Sequence, residues 1–352
     1  MFSVRHLTRC LERGSIAVKR AETTSLDRAI RYPVARASAK NDYAPRLLVA
    51  GTLKTSYASI VAALIESNGN VSEAARAAGV AKQYVYEVLG RLRSLGYKFR
   101  GFPSLAALGR VFLAISRGRG LPENGTAVML LKVYSFKSEE LSVGVYVVPL
   151  GTRAAWLLQG LSGAEVSELL DLVPAAPHYD IADLRLREGE RLPRPPRRDL
   201  DDIDKAILAK LYEDFSHPVS ASVPGVSKSL ASYHYRRHVK PLLRLLLDTH
   251  PLLMHARPLL MAEIFAASEE WMATLLKARQ VYLLMPKRDP LSAYALLEVE
   301  DPYAFLKSVV EARRGRGLGI QVNLHGYVDP ERSEKPKIPR VFLPAHHEEV
   351  SS

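Results

Sequence analysis

Gly79–Leu95 reads GVAKQYVYEVLGRLRSL and Gly225–Leu242 reads GVSKSLASYHYRRHVKPL, and the two stretches align without a gap at an offset of 146. Each opens on glycine, the residue a tight turn most readily accepts, and runs on into a helical pattern with lysine at its fourth position. Flanking markers keep the same order. Val71-Ser72 answers Val219-Ser220, and LSVGVYVVPLGTRAAWL from Leu141 answers LSAYALLEVEDPYAFL from Leu291. Self-similarity at a period of about 150 residues predicts two tandem copies of one unit, each a small helical module followed by an α/β module.

In the first copy Ile60, Val61, Leu64 and Ile65 recur at helical spacing until Asn68-Gly69 stops the helix. Ser72 is placed to cap a short second helix, SEAARAAG, and Gly79 supplies the left-handed turn after it. A third helix starts near Ala81. Its apolar face carries Val85, Val88, Leu89 and Leu92, which puts Lys82, Gln83, Tyr84, Tyr86, Arg91 and Arg93 on the other faces, where they are expected to read a partner. This is the helix-turn-helix layout, whose last helix enters the major groove of DNA. Gly96 to Gly101 (GYKFRG) suits a short basic strand, or wing, that lays Lys98 and Arg100 along phosphates.

In the second copy Asp201, Asp202 and Asp204 stand at the start of a helix carrying Ile207, Leu208 and Leu211, where carboxylates complement the helix dipole. The next stretch, VSASVPGVS, is two residues shorter than its counterpart and holds Pro224, so the second helix is expected to be reshaped. The third helix, around Ser232 to Leu243 and bent or ended by Pro241, brings candidate DNA contacts at Lys228, Ser229, Ser232, Tyr233, Arg236, Arg237 and Lys240. Phosphate contact suits these residues better than base reading.

The last quarter reads βαββαβ: Leu260 to Ala266 extended, Ser268 to Arg279 helical, Val281 to Met285 and Ala293 to Val299 extended, Pro302 to Arg313 helical, Ile320 to Tyr327 extended. That order is the ferredoxin-like split βαβ, an antiparallel sheet with its helices on one face. The middle segment is a degenerate copy, with strands at Arg110 to Ser116, Ala127 to Tyr134, Val143 to Val148 and His178 to Leu186, a helix from Thr152, and a loop at RGRGLPENG. Such sheets expose an edge and a face, and pairing with another copy covers them.

The expected fold class is therefore α+β. It comprises a basic N-terminal arm (1–50), a first winged or helix-turn-helix domain (51–108), a degenerate ferredoxin-like domain (109–186), a Pro/Arg-rich linker (187–199), a second helix-turn-helix domain (200–257), a second ferredoxin-like domain (258–329) and a C-terminal tail (330–352). Charge follows this division. The 352-residue chain carries 49 Lys and Arg against 37 acids, for a net +12. Residues 1 to 110 hold eighteen basic and seven acidic residues, whereas 111 to 184 and 258 to 329 are both slightly acidic. Between Phe215 and Leu245 stand five basic residues, three histidines and no acid. Cationic surface concentrated on the helical modules points to a polyanionic partner.

Composition excludes several classes. At 47% hydrophobic and 24% charged residues the chain can bury real cores and is not a disordered tail. The single cysteine, Cys10, excludes a disulfide framework and multi-cysteine metal sites. No apolar run approaches the roughly 18 residues of a membrane span, and the charged N-terminus is unlike a signal peptide, so a cytoplasmic protein without membrane contact is expected. Asn and Gln together number nine, a scarcity that fits a hot environment and a thermophile.

The combination of LDDIDKAILAKLYED, the GV-[AS]-K turn into helix three and a following βαββαβ module resembles the leucine-responsive regulator (Lrp/AsnC) family, here as an archaeal-type tandem variant. The resemblance spans most of residues 55 to 329, taken as two copies. It implies a transcriptional regulator that binds double-stranded DNA through its helix-turn-helix, and RAM-like α/β modules that serve pairing and sensing of a small effector such as an amino acid. By position it carries DNA contact onto Lys82, Gln83, Tyr84 and Tyr86, and onto Lys228, Ser229 and Ser232. Tandem duplication allows either a homodimer or an internal pseudo-dimer with two unequal readers.

Two alternatives stand beside this reading. Siroheme decarboxylases are similar in domain order, and His178 and His325 fall on equivalent final strands where they could do acid/base work. A general nucleic-acid or protein-binding scaffold would use Tyr84, Tyr86, Tyr97 and Phe99 as stacking platforms. His234 and His238 have metal-compatible i, i+4 spacing, but no carboxylate or cysteine lies near them in sequence. Neither a P-loop nor a dinucleotide fingerprint occurs. The sequence thus assigns no catalytic residue, no cofactor and no metal, and the expectation is a regulator and not an enzyme.

Overall fold

The computed structural model describes residues 55–94, 97–194, 198–215, 219, 223–248, 259–334 and 336–343. The expected basic arm and the end of the C-terminal tail lie outside them, as do residues 220–222 of the stretch expected to replace the second helix of the second copy. In chain order the elements begin with α1 (Thr55–Glu66), α2 (Val71–Ala77), α3 (Lys82–Ser94), β1 (Lys98–Pro103), α4 (Leu105–Leu108), β2 (Gly109–Arg117), β3 (Ala127–Ser135), β4 (Glu140–Pro149) and α5 (Ala155–Gly160). They continue with β5 (Glu165–Leu169), β6 (Val173–Pro174), α6 (Asp202–Glu213), α7 (Lys228–His234), β7 (Leu243–Asp248), β8 (Leu259–Ala266), α8 (Glu269–Thr274), β9 (Val281–Pro286), β10 (Ser292–Glu298), α9 (Pro302–Arg316) and β11 (Ile320–Val328). The protein is a mixed α+β structure dominated by a large antiparallel sheet.

Helices α1 to α3 form one group because each supplies an apolar stripe to a common core: Ile60, Val61 and Leu64; Ala74 and Ala75; Val85, Val88 and Leu92. The α2 cap differs from expectation. Asn70, not Ser72, is the N-cap, and its side chain accepts hydrogen bonds from the Ser72 and Glu73 backbone amides. Gly79 then adopts φ +64°, which turns the chain into α3 at little steric cost.

The expected wing is not free. β1 pairs antiparallel with β7 of the second copy along its whole length, from Lys98 opposite Asp248 to Pro103 opposite Leu243. One face of this ribbon sends Phe99, Leu245 and Leu247 into the α1–α3 core. The other sends Phe102 and Leu246 against Ile207, Leu208 and Leu211 of α6. The run LRLLLD, which begins where the third helix was expected to end, is taken up by the ribbon because both of its faces find an apolar partner.

Among the described residues the large sheet runs β5-β2-β4-β3-β11-β8-β10-β9-β6. Each half therefore repeats one spatial order: fourth strand, first, third, second. The halves join where β3 meets β11, with Gly326 opposite Ser135 and Val328 opposite Val133. They join again at the far side, because Leu169 bridges Lys287, the Leu170 amide donates to the Pro286 carbonyl, and β6 pairs with β9. The segment from Glu165 to Pro174 thus serves β2 with its first part and β9 with its second, and the sheet closes on itself. Glu168 reinforces this closure by bonding both Arg110 and Arg288.

Alternation along the strands separates two faces. Leu113, Met129, Leu131, Val143, Val145, Leu283, Met285 and Leu296 share a core common to both halves. On the opposite face Phe112, Tyr146 and Val148 pack with Leu157 of α5, while Ile264, Leu284 and Leu297 pack with Trp271 of α8 and Phe305 of α9. Edges that a separate copy was expected to cover are paired within the chain.

Two further expectations are corrected. The helix anticipated from Thr152 is the short α5, and the fourth strand of this half follows it directly as β5. His178 to Leu186 is not a strand: Pro177 denies the ladder a donor, and the Asp180 side chain caps a 3₁₀ turn at Ile181–Asp183. The stretch after β11 follows β3, through Glu334 N to Leu130 O and Lys337 N to Val128 O, and buries Ile338 and Phe342.

Candidate nucleic-acid interface

The i, i+3, i+7 spacing of Val85, Val88 and Leu92 commits one side of α3 to the core. The opposite side therefore faces solvent. Lys82, Gln83, Arg91 and Arg93 are exposed there, and Tyr86 keeps 51% of its surface open although it is a large aromatic. Arg76 of α2 adds a further exposed cation, and Glu73 and Glu87 are the exposed acids of these two helices. Tyr84 is half-buried and packs at the rim of the three-helix core.

The ribbon that follows contributes less than expected. Lys98 is exposed at its start, but Arg100 is turned inward: its guanidinium lies 5.1 Å from the Tyr212 ring centroid and donates to the Tyr212 carbonyl at 3.4 Å.

In the second copy Ser227 caps α7 through its side chain, which accepts from the Leu230 amide. The helix widens into a π-helical turn at Tyr235–Val239, then tightens into a 3₁₀ turn at Lys240–Leu242 that contains Pro241. Lys228, Ser229, Tyr233, Arg236, Arg237 and Lys240 are exposed, and Ser232 is half-buried. Ala231, His234 and Val239 point inward. From Lys228 to Lys240 the segment carries four exposed cations and no acid.

Beneath this basic turn lies a polar cluster that the sequence showed only in pieces. Asp201 and Asp204 complete a capping box at the start of α6. Asp204 is buried, with one carboxylate oxygen 3.0 Å from His234 Nδ1 and the other 3.1 Å from His238 Nδ1. Asp201 Oδ2 stands 3.4 Å from His234 Nδ1. The carboxylates missing from the sequence neighbourhood of the two histidines come from a helix about thirty residues upstream.

Comparison with protein families, curated proteins and solved structures yields no match. The histidine pair that favoured an enzyme does not occupy equivalent strands. His325 lies on β11, where burial pushes its imidazole below the ordinary value. His178 lies on irregular chain with its Nε2 2.9 Å from Glu66 at the end of α1, and this contact holds the Glu66 carboxyl below its usual range. Among the described residues no helix is long and apolar enough to cross a membrane.

Proposed function

We propose that the protein is a sequence-specific, double-stranded DNA-binding transcriptional regulator built as an internal pseudo-dimer of two Lrp/AsnC-like units. The observation that carries this reading is α3: one face is locked into a three-helix core while the other presents Lys82, Gln83, Tyr86, Arg91 and Arg93 together. Cations supply salt-dependent attraction to phosphates, and Gln83 and Tyr86 near the helix start are placed as base readers would be. The α7 segment, with Lys228, Arg236, Arg237 and Lys240 exposed and no acid among them, acts as a second, phosphate-directed contact.

The rest of the fold supports the same reading. A fourth-first-third-second strand order in each half fits a ferredoxin-like βαββαβ unit in the second half and a copy without its first helix in the first. Reciprocal joining of the halves at β3–β11 and β9–β5/β6 does within one chain what a homodimer interface would do between two. A cleft of about 540 Å³ at the end of α1 and along β7, lined by Glu66, Ser104, Arg191, Arg244 and Lys277, is where a small effector would enter.

The test is a gel shift of the full-length protein on genomic duplex fragments at about 50 and 200 mM salt with excess non-specific duplex. Retention of discrete fragments, weakening steeply with salt, is expected. Absence of binding, or equal binding to every fragment, overturns the proposal.

A further inference from the structure

We propose that Asp201, Asp204, His234 and His238 bind one divalent transition-metal ion of the zinc type, which clamps the start of α6 to the end of α7. Each residue offers one ligand atom, and the four atoms lie within 4.8 Å of one another. His234 Nδ1 stands 3.0 Å from one oxygen of Asp204 and 3.4 Å from Asp201 Oδ2, and His238 Nδ1 stands 3.1 Å from the other oxygen of Asp204. Ligand atoms 2.0–2.2 Å from a tetrahedral centre are about 3.3–3.6 Å apart, so binding would draw these side chains, now spaced as hydrogen-bonded partners, about 1 Å into a common shell. The two imidazole rings stand at 78° with centroids 5.0 Å apart, which lets both Nδ1 atoms converge on the carboxylates instead of stacking past one another.

Donor chemistry selects the ion. Two imidazole nitrogens with two carboxylate oxygens suit zinc, cobalt and their neighbours, whereas magnesium and calcium take oxygen shells. Charge balance points the same way: one dication neutralises two carboxylates, and both imidazoles then bind as neutral ligands. Asp204 is buried, but the His238 side chain is 27% exposed and that of Asp201 is 52% exposed, so an ion has a way in. The clamp would hold Arg236 and Arg237, which sit between the two histidines in sequence, against the α6 scaffold. This inference stands whether or not the exposed surface meets DNA.

The experiment uses the full chain stripped with chelator and titrated with Co²⁺ and with Zn²⁺. One equivalent of Co²⁺ is expected to give the visible absorption of a tetrahedral site, and Zn²⁺ to raise the melting temperature. His238→Gln is expected to weaken Co²⁺ binding at least about tenfold with unchanged far-ultraviolet circular dichroism. Asp204→Asn adds a second probe. No visible band and no Zn²⁺-dependent melting shift in the wild type would overturn the proposal. So would Co²⁺ affinity unchanged by His238→Gln in a folded variant.

Discussion

Replacing Gly326 by alanine tests the seam between the two halves of the sheet. A Cβ at this position would lie 2.1 Å from the Tyr134 carbonyl oxygen and 2.6 Å from its carbon, both of them backbone atoms of β3 that no rotamer change can move. A Cβ essentially never comes within 3.0 Å of such an atom, so β11 and β3 must part by about 1 Å over a junction of three residue pairs. Overpacking of this kind costs about 1–3 kcal/mol, and weakened ladder hydrogen bonds add about 1 kcal/mol each. A loss of about 3 kcal/mol follows. With an unfolding entropy near 2 cal/mol/K per residue over about 300 residues, the melting temperature should fall by roughly 5 °C. Gly315→Ala is the control: it lies in α9 with nothing within 4 Å of its added Cβ, and alanine there should be neutral or slightly stabilising. Urea unfolding followed by circular dichroism measures both. Gly326→Ala within 0.5 kcal/mol of wild type, roughly the scatter of surface substitutions, would refute the strand pairing that closes the sheet.

Other outcomes follow from single contacts. Asn70→Ala should destabilise the protein by about 1 kcal/mol while Ser72→Ala changes little, since Asn70 supplies the α2 cap; urea midpoints showing the reverse order would reinstate Ser72. Hydrogen bonds from Arg110 and Arg288 hold the Glu168 carboxyl below its ordinary value near 4.5. Its stabilisation is therefore complete above that value and lost as pH falls through the lower folded-state value. Glu168→Gln should cost at most about 1 kcal/mol near pH 7, with the gap from wild type closing in acid; a gap that widens below pH 4.5 would contradict the assignment.

Much of the second α/β half was legible because its punctuation is local: Ser268 caps α8, Asp301 and Pro302 open α9, and the strands between are short apolar runs bounded by turn residues. The missed elements depend on partners distant in sequence. β5 is only five residues long, and its pairing with β2 and its bridge to Lys287 just after β9 need residues fifty or more and more than one hundred positions away. The apolar run of β7 fits a buried helix or a strand equally until β1 is beside it. The π-helical turn after α7 carries no composition signature. The charged face of α3 was readable from periodicity, but the inward turn of Arg100 depends on Tyr212, which belongs to the other copy. The Asp–His cluster was readable only as a cap and a spacing, because its halves meet through tertiary packing of α6 on α7.

The central claim is that duplex DNA is met by the exposed face of α3. Its most direct test compares two double-charge variants by fluorescence anisotropy on one duplex across a salt series. Lys82→Ala with Arg91→Ala removes cations from α3, and Lys307→Ala with Arg314→Ala removes exposed cations from α9. The first pair should weaken binding about tenfold or more and make the salt dependence shallower by about two phosphate contacts, with the second pair staying within about twofold of wild type. Equal losses from both pairs, or no loss from either, would contradict it.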